Sequence, residues 1–192
     1  MGNKVISGEY PPGSTFKIIT GTAALELGKV TPEELIFDSG QHWLIPMGNA
    51  GGEALGWINF QQALSMSDNV YFYEMGNRLG INNLVDFARK FGMGRKTGIE
   101  LEGEASGLLP TPENKRKIFT GEDWTLGDTF NASIGQGIDL ATPLQMAVMM
   151  SCIAGGGIYH QPYLVDKVLN NDGSVFEVRQ HQEPYALSLI HI

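Results

Sequence analysis

Tyr10-Pro11-Pro12-Gly13-Ser14-Thr15-Phe16-Lys17 is the stretch on which the reading of this sequence turns. Two prolines and a glycine fix a turn. Ser14 then opens an apolar-periodic run through Phe16, Ile19, Ala23 and Leu27, which predicts a helix with Gly28 as its stop. Ser14 and Lys17 are three residues apart, so a helix sets both side chains on one face. A serine hydroxyl is a weak nucleophile until a base takes its proton. A desolvated lysine has a lowered pKa and can be that base. The turn also puts Ser14 at a helix N-terminus, where free N–H groups favour a developing oxyanion. Ser-x-x-Lys alone recurs by chance, and a capping serine before a solvated lysine gives the same pattern. Its weight comes from what surrounds it.

Downstream, Thr31-Pro32-Glu33-Glu34 predicts a short helical turn. Residues 38–58 are rich in Gly and aromatics without a period, so they read as loop with short strand pieces. A helical pattern resumes at Asn59 through Phe60, Ala63 and Leu64. Ser67-Asp68-Asn69 interrupts it, because these side chains compete with the helix backbone for hydrogen bonds. Further helices are predicted from Val70 to Leu79, ending at Gly80, and from Asn83 to Phe91, ending at Gly92. Residues 92–140 read as irregular. Thr142-Pro143 caps a helix through Ala154, apolar nearly all round and so expected to be buried. Tyr163–Leu169 and Val175–Val178, split by Asn170-Asn171-Asp172-Gly173, predict a β-hairpin.

The chain of 192 residues suits one mainly helical unit. A net charge of −8 and a pI near 4.9 argue against a nucleic-acid surface or a polybasic membrane patch. The single Cys152 makes no internal disulfide, and no Cys/His metal spacing occurs. No cofactor and no metal are expected. Asp38 and His42 are four apart, but in a loop and without further ligands. Met146, Met149, Met150 and Cys152 are expected to fill core, as are Tyr71, Phe72 and Tyr73. Trp43 and Trp57 could line a substrate groove, or pack in the core or within a loop. Gly135-x-Gly137 lacks the strand, Lys and helix of a nucleotide loop.

In Ser67-Asp68-Asn69 the serine could relay a proton, and the asparagine amide could both donate and accept. Ser-x-x-Lys followed by Ser-Asp-Asn is the order found in penicillin-binding proteins and class A β-lactamases. With the wider Tyr10–Lys17 stretch, the chain closely resembles class B penicillin-binding proteins, the transpeptidases of peptidoglycan synthesis. The resemblance continues through Phe37-Asp38-Ser39-Gly40, Ser67-Asp68-Asn69-Val70-Tyr71-Phe72, Lys96-Thr97-Gly98-Ile99, Ile134-Gly135-Gln136-Gly137 and Ala141-Thr142-Pro143-Leu144-Gln145-Met146. The subtype it resembles is the elongation-type, penicillin-binding protein 2-like enzyme.

The resemblance implies an α/β, β-lactamase/transpeptidase-like fold, represented here by the helical subdomain and little of the antiparallel sheet. It implies that Ser14 attacks the penultimate D-Ala of a stem peptide, with Lys17 as base, Ser67 as proton shuttle and Asn69 holding the substrate amide. The Ser14 N–H would be one oxyanion donor. Partners implied are D-Ala-D-Ala stem peptides, β-lactam antibiotics, and the glycosyltransferase and cell-elongation machinery. The implied place is the extracytoplasmic face of the bacterial membrane, with an N-terminal anchor outside this chain.

Lys96-Thr97-Gly98 is not read as the third catalytic motif. That motif should sit on a strand lining the site, whereas here the flanks are turn-rich and acidic. The catalytic version is expected beyond Gly155–Gly157, outside this chain, so the segment alone is expected to be inactive. Residues 1–185 are expected to form a partial transpeptidase domain, and 186–192 a tail foreign to the family. Three other readings remain: a β-lactam-sensing receptor domain that binds without turnover, a β-lactamase relative, and a non-catalytic assembly fragment.

Overall fold

The computed structural model describes residues 2–187. Helix α1 (Lys4–Ser7) leads into a 3-10 turn, Gly13–Phe16, that runs directly into α2 (Lys17–Glu26). Gly28, at φ +60°, closes α2 as anticipated. Its N–H reaches Leu25 O, and the Lys29 N–H reaches Ala24 O, so the last turn's carbonyls are satisfied. Thr31–Glu34 makes a turn closed by Glu34 N–H to Thr31 O rather than the expected helical turn.

Strands β1 (Ile36–Asp38) and β2 (Gly56–Ile58) pair antiparallel across the irregular 39–55 segment. Asn59 caps α3 (Phe60–Ser65) through a capping box with Gln62. Helix α4 (Asn69–Lys90) carries both runs read from sequence, with Gly80 at φ +70° and ψ 158° as the kink between them.

Two helices lie where the sequence read as irregular: α5 (Pro112–Ile118) and α6 (Leu126–Ser133). Their signals are caps rather than periodicity. Thr111 accepts from Asn114 N–H with Pro112 just inside the helix, and Thr125 forms a capping box with Asp128. Both helices are too short for a hydrophobic repeat to stand out.

Helix α7 (Pro143–Ala154) begins at the anticipated Thr142 cap. It is not buried all round, as its composition suggested. Val148, Met149 and Cys152 are buried, but Pro143, Ala147, Met150 and Ala154 form an exposed stripe. The expectation that Met150 fills core is thereby corrected. Beyond α7 come β3 (Ile158–Tyr159), the hairpin β4 (Lys167–Leu169) and β5 (Val175–Val178), and β6 (Tyr185–Ala186), which pairs with β3. Ala186 and Leu187, assigned from sequence to the tail, are thus described: Leu187 is buried and donates to Gly157 O. Residues 188–192 of that tail lie outside the described residues.

The core is a helical sandwich, with α4 packed between α2 and α6. Phe16, Ile19 and Ala23 share one buried cluster with Phe72, Met75 and Leu79 of α4 and Phe130 and Ala132 of α6. Gly76 allows the α4–α6 approach, since a Cβ there would stand 2.7 Å from Ser133 Cβ. Tyr71, Phe72 and Tyr73 are buried, as expected, and the Tyr73 ring stacks on Phe130 at 5.3 Å. Trp43 and Trp57 are exposed and so not core, and each packs locally, Trp57 on Phe37 at 5.2 Å and Trp43 on His42 at 5.8 Å. The sheet content of the described residues is three two-stranded ribbons.

Candidate active site

The Ser14 turn is held from below by the segment 135–141. The Gly13 N–H donates to Gly135 O at 2.8 Å, and Tyr10 exchanges two backbone hydrogen bonds with Ala141. Gly135 sits at φ +69°, and a Cβ there would meet Gly13 O at 2.4 Å. Only glycine permits this approach without moving the serine turn.

Ser67-Asp68-Asn69 is the second support, and each residue has a local backbone task. Ser67 follows the C-cap of α3 in the left-handed region, at φ 55°. Its N–H reaches Leu64 O, and the Asp68 N–H reaches Ala63 O, which is the helix ending usually given to glycine. No other described non-glycine residue has positive φ. A serine here accepts a backbone cost of about 1 kcal/mol. In this place its hydroxyl reaches Ser14 Oγ at 2.9 Å. Asp68 is the N-cap of α4, accepting from Tyr71 N–H, and Asn69 is the first residue of that helix.

Lys17 is 1% exposed and donates to Ser67 O at 2.6 Å, Asn69 Oδ1 at 2.7 Å and Ser67 Oγ at 3.1 Å. The four residues singled out from sequence therefore meet. Lys17 is joined to Ser14 through Ser67, a link that helix spacing alone did not reveal. Two of its three acceptors, a carbonyl and an amide oxygen, have no proton to give. When the amine is neutral, its two hydrogens stay on those oxygens and its lone pair faces Ser67 Oγ. Ser14 can then donate to Ser67 while Ser67 donates to Lys17. Burial pushes Lys17 down to about 8, with the nearby Asp68 carboxylate opposing the shift. Burial likewise pushes Asp68 up to about 6, against the Tyr71 N–H bond and with the adjacent Asp38 carboxyl adding to the rise.

The serine opens onto a cleft of about 770 Å³ lined by Ser14, Asn49, Ser67, Asn69, Ile134 and Gln136 among others. A larger cleft of about 1070 Å³ lies between α4 and α5, near Val85, Arg89 and Pro112, and none of the serine–lysine cluster lines it. Neither exposed tryptophan lines the 770 Å³ cleft. Lys96-Thr97-Gly98 is loop, folded around Glu104, whose carboxylate accepts from Thr97 N–H, Thr97 Oγ1 and Gly98 N–H. Asp38 and His42 diverge. Asp38 turns to Gly40, Asn49 and Leu55, while His42 meets Glu74 at 3.0 Å. No group of three or more potential metal ligands occurs among the described residues.

Sequence reasoning missed Asn49. Its amide accepts from Asn69 N–H at 2.7 Å and donates toward Asp38 Oδ2 and Asp68 Oδ2, both at 2.9 Å. Gly48-Asn49-Ala50-Gly51 has only turn chemistry, and nothing in it signals partners 11 and 19 residues away.

Residues 1–189 match the family model described as the penicillin binding protein transpeptidase domain. The chain is 35% identical to the peptidoglycan D,D-transpeptidase MrdA of Escherichia coli K12, covering 95% of this chain and 29% of that protein. It is 30% identical to penicillin-binding protein PbpB of Mycolicibacterium smegmatis, over 92% of this chain and 26% of the relative. Among solved structures, Pseudomonas aeruginosa PBP2 in complex with WCK 5153 superposes with a TM-score of 0.87 at 35% identity, covering 98% of this chain and 42% of that one. Helicobacter pylori PBP2 in complex with MreC gives 0.82 at 31% identity, covering 97% and 33%. The chain thus spans less than half the length of the relatives it matches. Its fold is that of the β-lactamase/transpeptidase class, with the helical part dominant, as the motifs implied.

Proposed function

The chain belongs to the penicillin-binding protein transpeptidase family, and on that premise we propose that it carries the nucleophile of a peptidoglycan D,D-transpeptidase. Ser14 Oγ attacks the carbonyl carbon of the penultimate D-Ala of a stem peptide. Its proton passes to Ser67 Oγ, and the Ser67 proton passes to Lys17 Nζ. The C–N bond to the terminal D-Ala breaks as that nitrogen takes a proton back through Ser67. The product is a Ser14 ester. An amine of a neighbouring stem peptide attacks the ester, forming the cross-link and returning a proton to Ser14 Oγ. Asn69 keeps its Oδ1 on Lys17 and orients the substrate amide through its nitrogen. A β-lactam, opened by the same attack, leaves a stable ester on Ser14.

The observation that carries this reading is the unbroken hydrogen-bond path from Ser14 Oγ through Ser67 Oγ to a buried, low-pKa Lys17. The work is divided with parts of a longer protein, since relatives are two to three times longer or more. Those parts would supply the strand-borne third motif, the membrane anchor on the extracytoplasmic side and contacts with the glycosyltransferase and elongation machinery. No helix among the described residues is long and apolar enough to cross a membrane. The test is labelling of the longer protein with a fluorescent penicillin. Wild type forms a covalent band, and Ser14→Ala loses it. Undiminished labelling of Ser14→Ala would overturn the proposal.

A further inference from the structure

Asn49 lies on the loop between β1 and β2, and its amide is saturated on both sides. The oxygen accepts from the Asn69 N–H at 2.7 Å and the Val70 N–H at 3.4 Å, two free donors of the first turn of α4. The nitrogen stands 2.9 Å from Asp38 Oδ2, 2.9 Å from Asp68 Oδ2 and 3.0 Å from Glu53 O. The neighbouring Gly48 O accepts from Asn69 Nδ2 at 3.3 Å. Loop residues 48 and 49 therefore grip Asn69 by its backbone and its side chain together. Asn69 in turn holds Lys17.

The choice of residue follows from the chemistry around it. Asp38 and Asp68 are 1% and 2% exposed, and an oxygen of each lies within hydrogen-bond reach of one nitrogen. Two buried carboxyls this close repel each other unless a donor or a proton stands between them. The position also needs an acceptor toward the helix N-terminus. Asparagine supplies donor and acceptor on one short stem; aspartate lacks the donor, and a hydroxyl lacks the second arm.

We propose that Asn49 is a positioning residue for acylation, its amide fixing the Ser67–Asn69 turn against Ser14 and Lys17. This rests on the acyl-enzyme reading above. Asn49 acts on the reaction through Asn69 and Asp68, not by contact with the reacting atoms. The charged and titratable groups around this bridge are Asp38 from β1, Glu53 from the same loop, Asp68 itself, Lys17 from α2 and Tyr73 from α4.

The experiment measures the rate of fluorescent-penicillin acylation in the longer protein from pH 5 to 9, each variant as a ratio to wild type. Asn49→Ala is expected to slow acylation at least tenfold at every pH. Asn49→Asp is expected to be as slow at pH 8 but to recover toward pH 5, because a protonated carboxyl regains one donor. The exchange Asn49→Asp with Asp38→Asn puts the donor on the other partner and is expected to be at least fivefold faster than Asn49→Asp alone at pH 8. Ratios near one for both single variants overturn the proposal. So does an Asn49→Asp ratio as flat in pH as that of Asn49→Ala, or an exchange variant with no gain. The exchange variant also decides the matter if Asn49→Ala fails to melt cooperatively. Ser14→Ala serves as the separate control: if it still labels, the acyl-enzyme reading fails, whatever Asn49 does.

Discussion

At the residue scale, Lys17 and Ser67 carry the sharpest expectations. An amine base works only when deprotonated, so acylation should rise with pH through about 8, where burial has moved Lys17. A profile without that inflection would contradict Lys17 as base. The same shift has a cost in stability. Burial disfavours the charged amine, so below pH 8, where Lys17 is protonated in the fold as well as in the unfolded chain, the shift costs the native state stability. That cost fades between pH 8 and the ordinary value of 10.5. Asp68 works in the opposite range: its raised pKa favours the protonated fold below 3.8, and this advantage is lost as pH rises through about 6. Ser67 separates backbone from hydroxyl. Ser67→Gly and Ser67→Ala should both lose the proton path, but the glycine variant should be the more stable by about 1 kcal/mol, because φ 55° costs it nothing. Thermal melting of the pair checks this, and an alanine variant as stable as the glycine one would refute it.

At the element scale, the site depends on close backbone contact as much as on side chains. Gly135 supports the Ser14 turn, and a methyl group there would collide with Gly13 and Phe16. Gly135→Ala should destabilise the fold by about 2 kcal/mol and slow acylation, by displacing the serine turn. A variant that matches wild type in both melting and labelling would contradict that role. Caps were the elements most legible in sequence. Thr142 and Gly28 mark true helix ends because a cap is local chemistry, whereas the cap read at Thr31 opens only a turn. Helices α5 and α6 escaped because they are brief, and their caps lie among other Thr, Gly and Pro residues. Ser14, Lys17, Ser67 and Asn69 were readable as motifs. Asn49 was not, because its contacts with Asp38 and Asp68 form only when the loop closes over α4.

At the scale of the whole molecule, the exposed stripe of α7 tells what burial in a larger body would add. Ala147 and Met150 lie open on a helix whose only polar side chains are the buried Gln145 and the exposed Ser151. A surface of that kind calls for a covering layer. Chain 1–192 alone should therefore acylate far more slowly than the longer protein, and equal labelling rates would refute this. Every role proposed for the site turns on Ser14 as the acylated nucleophile. Peptide mass spectrometry of the penicillin-treated longer protein locates the adduct. The penicilloyl mass is expected on Ser14, within the peptide Val5–Lys17; an adduct on Ser7 or Ser67, or none, would refute Ser14 as the nucleophile.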